Sequence, residues 1–124
     1  MRVESEIGTI MESSQIKDWH AHIYFDTAST EAARALREKI EKNFTIEMGR
    51  FHEKPVGPHP RFSYQVAFRN EQFAPLLSWL TLNRGDLTVF IHPNTGHDLE
   101  DHRDRAIWMG RQEPLILDIF TKGN

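Results

Sequence analysis

The spacing of apolar residues in this chain switches between a period of two and a period of 3.6 in one order: strand, helix, strand, strand, helix, strand. Trp19-His20-Ala21-His22-Ile23-Tyr24-Phe25 is rich in aromatic and β-favouring residues and reads as a strand. Ser29 or Thr30 then caps a helix with Glu31 in its first turn, and Ala32, Leu36 and Ile40 form its buried stripe. This helix is expected to end near Asn43. Residues 44–51 alternate again, with Phe44, Ile46 and Met48 against Thr45 and Glu47. A stiff loop of three prolines and a glycine follows, His52 to Pro60, and residues 62–68 give a third strand. A helix within 71–84 carries Phe73, Leu76, Leu77 and Leu80, with Pro75 suited to its first turn and Gly85 to its end. Residues 87–92 form a fourth strand, expected to stop at Pro93. The polar run 97–105 is expected to open a short helix reaching Trp108, and Leu115–Phe120 reads as a last strand.

This order suits a ferredoxin-like α+β sandwich: a βαββαβ antiparallel sheet with two helices on one face, plus a C-terminal short helix and strand. Length allows one domain, residues 18–124, after a polar lead-in of residues 1–17 expected to be flexible, with Ile7, Ile10 and Ile16 as its apolar points. The chain has no cysteine, which excludes disulfides, thiolate metal sites and a thiol nucleophile. A formal net charge of −3 offers no broad attraction for nucleic acid or an anionic membrane. No apolar run approaches a membrane span, and the first residues lack a signal-type apolar stretch, so a cytoplasmic protein is expected.

Seven histidines are the compositional oddity. Alternation in a strand decides the face on which each one points. Trp19, Ala21, Ile23 and Phe25 belong under the helices, which sends His20, His22 and Tyr24 to the other side. In the fourth strand Leu87, Val89 and Ile91 are core, which sends Thr88, Phe90 and His92 to that same side. Ferredoxin-like topology pairs the first and fourth strands antiparallel, so the early residues of one lie beside the late residues of the other. Adjacent strands are ~4.8 Å apart, a gap that imidazoles bridge to a shared ion. Three neutral imidazoles suit a first-row divalent metal and leave positions open. The opposing explanation is ordinary surface histidine. His97 and His102, in the acidic stretch HDLEDHRD, are expected to be solvated helix caps. Asp26 ends the strand too far along to complete a two-His-one-carboxylate set, and Glu53 and Asp98 are unplaced.

Several short motifs resemble the DOPA 4,5-dioxygenase family of fungi and bacteria. They are His20-Ala21-His22-Ile23-Tyr24-Phe25, Gly57-Pro58-His59-Pro60, Leu82-Asn83-Arg84-Gly85, His92-Pro93-Asn94-Thr95-Gly96, Asp101-His102 and Trp108-Met109-Gly110. They occur in the family's order across residues 19–110. The resemblance implies a ferredoxin-like fold and extradiol cleavage of a catechol ring by non-haem iron(II) and dioxygen. L-DOPA or another catechol such as caffeic acid would be the substrate. On this reading His20, His22 and His92 hold iron(II), although zinc or another divalent metal can fill such a site. His59 is the first candidate for the acid–base group and His52 the second. If the loop folds onto the metal, His59 becomes a ligand and His20 the acid–base group. Tyr24 and Phe90 stack on the ring or pack against whatever covers their face, and Arg50 meets a substrate carboxylate or is ordinary surface. A bare face carrying Tyr24 and Phe90 would favour a homodimer. The rival functions are a closed zinc- or nickel-binding module without catalysis and a metal-free interaction domain.

Overall fold

Among the described residues, five antiparallel strands, three α-helices and four short 3-10 turns make up the regular structure. The computed structural model describes residues 10–121. The strands are β1 (Asp18–Phe25), β2 (Glu47–Met48), β3 (Phe62–Phe68), β4 (Thr88–Asn94) and β5 (Ile107–Met109), and the helices are α1 (Thr30–Asn43), α2 (Phe73–Asn83) and α3 (Asp98–Arg103). The sheet order β2-β3-β1-β4-β5 is the expected ferredoxin-like order with β5 added beside β4. The lead-in is only partly described: Ser13–Gln15 form a 3-10 turn, and Ile7 lies outside the described residues.

The helical layer forms as the periodicities dictate. Ala21, Ile23 and Phe25 of β1 meet Val66 and Phe68 of β3, Val89 and Ile91 of β4, Leu36 and Ile40 of α1, and Leu76 and Leu80 of α2. In α1 the first buried alanine is Ala33, three residues before Leu36, and Ala32 is exposed. Both spacings lie on one helical face, and Tyr64 decides between them by donating its hydroxyl to the Ala33 carbonyl at 2.9 Å.

Four boundaries differ from expectation, each for a physical reason. β2 has two residues; beyond it Gly49 N–H still bonds the Gln65 carbonyl of β3, and Phe44, Ile46 and Phe51 pack against the core. β4 runs through Pro93. β5 pairs only with Val89–Ile91, so beyond Ile91 that side of β4 is an edge, where proline breaks no ladder. α3 stops at Arg103, and residues 107–109 form a strand rather than continuing it. Leu117–Phe120 form a 3-10 turn instead of a strand. With β5 paired on β4, the C-terminal apolar run joins no strand and crosses a sheet face instead.

That crossing changes the second face. The loop 52–61, α3, Trp108 and the C-terminal segment form an irregular layer over it within the chain. Tyr24 and Phe90 are 0% exposed. Both rings are interior packing, and the exposed aromatic patch that favoured a homodimer is absent among the described residues. No helix is long and apolar enough to cross a membrane.

Candidate metal centre

His20 of β1 stands directly across from His92 of β4, and His22 stands across from Phe90. Because side chains alternate along a strand, His20, His22 and His92 share the face opposite the helices. Each offers one nitrogen, and these atoms all lie within 4.8 Å of one another. His22 and His92 are 4% and 1% exposed, and His20 is partly exposed at the margin.

Hydrogen bonds orient the donors. His92 Nδ1–H donates to the carbonyl of Pro93 at 2.9 Å, which leaves its Nε2 as a bare lone pair. The Nε2 atoms of His22 and His92 are 3.1 Å apart, and His22 donates across that gap. With the His22 proton on Nδ1, both Nε2 atoms present bare lone pairs at this spacing. Two nitrogens each about 2.1 Å from a common ion lie roughly 3.0 Å apart at a right angle and roughly 3.4 Å apart at the tetrahedral angle. The observed spacing suits neighbouring positions of an octahedral ion, a geometry that leaves room for further ligands. Neutral nitrogen donors, oriented rings and this spacing together fit a divalent transition metal.

Two more imidazoles extend the group. The stiff loop folds back over the sheet, with its turn at Gly57 (φ 55°), and buries His59. The His59 ring lies 4.1 Å from that of His22, and its Nδ1 is 2.7 Å from the Tyr24 hydroxyl. On the other side His102 packs 3.9 Å from His92. His102 is therefore no solvated cap. Its Nδ1–H donates to the Asp98 carbonyl one turn earlier, and Phe120 covers it at 4.3 Å. Buried Asp101 secures this helix by accepting from Thr95 N–H and hydroxyl and from Arg105. His97 is the exposed N-cap residue of α3. His52 is fixed by a backbone bridge to Ser63, at the Tyr24 end of the face. Arg50 is exposed in the segment after β2. The signal for His102 was the Asp101-His102 dipeptide, since α3 is too short to reveal a face.

Burial sets the charge state. Desolvation, helped by neighbouring imidazoles, holds His59 down at about 4 and His92 at about 3, and it places His22 well below the ordinary 6.5. His20 and His102 are lowered as well, again chiefly by burial. At neutral pH the cluster is a set of neutral ligands and proton acceptors. The same burial makes metal-free protein acid-sensitive. Between pH 6.5 and 4 the unfolded chain binds more protons than the native one, so stability is complete above 6.5 and drains away as pH falls through that window. His59 alone accounts for about 3 kcal/mol, the worth of a displacement from 6.5 to about 4. Urea midpoints measured in a chelating buffer should fall steeply from pH 7.5 to 4.5; a flat profile would contradict the buried neutral cluster.

The profile of the Dopa 4,5-dioxygenase family matches residues 19–119. A DOPA 4,5-dioxygenase of Amanita muscaria is 37% identical over 123 residues, covering 92% of this chain and 54% of that protein. An uncharacterised protein of Botryotinia fuckeliana is 43% identical over 113 residues, covering 82% of this chain and 62% of that protein. The chain thus spans little more than half the length of these relatives. A solved structure from Nostoc punctiforme, named as a candidate dioxygenase, superposes with a TM-score of 0.88 at 39% identity, covering 91% of this chain and 97% of that one.

Proposed function

The chain belongs to the Dopa 4,5-dioxygenase family, and from that premise we propose that it opens the ring of a catechol such as L-DOPA or caffeic acid by extradiol cleavage with dioxygen, with iron(II) held by His20, His22 and His92. The observation that carries the reading is the convergence of those three nitrogens within 4.8 Å on a face otherwise lined by aromatic rings. Bound there, iron(II) supplies Lewis acidity toward the catechol oxygens and an electron path between ring and dioxygen.

The chain's own residues do the rest. His59, neutral at pH 7, takes a proton from a catechol hydroxyl and returns it during ring opening. Its Nδ1 is pinned by the Tyr24 hydroxyl, so the proton is exchanged at Nε2. Burial keeps the Tyr24 phenol protonated and raises its pKa. His102 packs on His92 and fixes that ring. Phe90, stacked between His22 and Trp108, keeps water from the inner side of the site. His52 stands behind His59 and lowers its basicity further.

Anaerobic purification, metal analysis and an oxygen-uptake assay with a catechol panel test the proposal. The expected result is one equivalent of metal and oxygen consumption matched to ring-opened product. Bound metal with no ring opening on any catechol would favour the zinc- or nickel-binding module instead.

A further inference from the structure

His22, His92 and His59 are buried, so no ring-sized ligand reaches them while their cover is seated. Residues 111–121 form the outermost part of that cover. The segment leaves β5 at Gly110, whose φ of 88° provides the turn. Several contacts hold it to the body of the chain. Ile116 N–H donates to the Pro58 carbonyl at 2.8 Å, Phe120 lies on His102, and Glu113 pairs with Arg61. Ile116 and Ile119 are about half exposed, whereas Leu115, Leu117 and Phe120 are partly buried, so lifting the strap uncovers part of its inner apolar face.

The Arg61–Glu113 pair is the most enclosed latch of this strap. Its side chains are 30% and 12% exposed, against about half for the surface pair Arg34–Glu53. Arg61 lies two residues beyond His59 on the same loop, and its charge, like that of Glu113, is felt at Tyr24. Its guanidinium also lies 3.8 Å from Asp26. Asp26 is four residues from His22 along β1, a span of about 13 Å. A catechol held by its oxygens beside His22, with a short acid side chain, covers a distance of that order.

We propose that Arg61 receives the carboxylate of an acid-bearing catechol, and that Glu113 occupies this guanidinium as a stand-in until the substrate displaces it. The inference rests on the catechol reading above. Lifting the strap without an acid strips Arg61 of its closest partner, whereas an incoming carboxylate replaces one charge-assisted bond by another. Acid catechols therefore open the cover at lower cost than neutral ones. Arg61 takes this role in preference to Arg50, which is exposed in the segment after β2 rather than latched to the cover.

The test is anaerobic calorimetric titration of metal-loaded protein with caffeic acid and with its methyl ester. Wild type should prefer the acid by about 10- to 100-fold. Arg61→Met should erase that preference, and Glu113→Gln, which removes the competing charge, should tighten acid binding. If Arg61→Met does not fold, Arg61→Lys keeps the charge but loses the fork and should reduce the preference in part. Equal binding of acid and ester by wild type, an unchanged preference in the Arg61 variants, or weaker acid binding by Glu113→Gln overturns the assignment of Arg61 alone. Wild type that binds neither compound overturns it together with the catechol reading.

Discussion

Replacing His92 by alanine is expected to abolish stoichiometric metal binding and, with it, oxygen uptake on any catechol. His92 is the centre of the cluster. It faces His20 across the β1–β4 ladder, its Nε2 lies 3.1 Å from that of His22, and its Nδ1 is tied to its own strand. Losing an outer hydrogen-bond partner of a metal ligand typically costs 10- to 100-fold in affinity, and losing the ligand itself should cost about 100-fold or more. Removing the ring also leaves a void beneath Phe90 and His102, so some stability goes too. His20→Ala separates the two effects, because His20 lies at the partly exposed margin, where truncation leaves a smaller void than at buried His92. Both variants should lose metal by elemental analysis, and His20→Ala should keep the parent's melting curve in chelator. A His20→Ala and a His92→Ala protein that each retain one equivalent of metal would remove the site from these strands.

Much of this cluster was legible because strand alternation is a strict period. Once Ala21 and Ile23 are assigned to the core, His20 and His22 have only one other side to occupy. The same argument on Val89 and Ile91 fixes His92, and antiparallel pairing brings the two sets together. What was not legible depends on chain segments without a period. The return of loop 52–61 over the sheet turns on Gly57 and on the burial of Pro58 and His59, which no spacing encodes. α3 is six residues long, so His102 carried no amphipathic signature, and its acidic neighbours suggested solvent. Ile107-Trp108-Met109 is too short to alternate visibly, while Leu115–Phe120 has the composition of a strand but pairs with none and packs on α3. An apolar run that covers a face and one that joins a sheet look alike until the edges are counted. The sequence left the histidine face to be open, or covered by a partner or by the C-terminal segment, and among the described residues the C-terminal segment lies over it.

The second large effect is expected at His59. His59→Gln should lower kcat by about 10²- to 10⁴-fold, the usual contribution of a positioned acid–base group, while the protein still loads metal. The argument starts from the loop. Its backbone turn and the Ile116 N–H bond to Pro58 set the ring over His22, and the Tyr24 hydroxyl at 2.7 Å holds Nδ1. Either the phenol donates to Nδ1 and His59 carries its proton on Nε2, or Nδ1–H donates to the phenol and Nε2 is bare. In the second form the bare Nε2 takes the catechol proton, the ring passing through a transient imidazolium, and returns that proton as the ring opens, so the resting site stays uncharged. Tyr24→Phe keeps the ring packing against Trp108 but frees His59 to turn, so kcat should fall less than in His59→Gln. Because burial holds His59 at about 4, the acid limb of the wild-type kcat profile should lie well below the ordinary histidine value of 6.5 and should disappear in His59→Gln. Metal content decides between the two roles open to this residue. A His59→Gln protein that loses its metal along with its activity would make His59 a ligand and return His20, at the exposed margin, to the acid–base position.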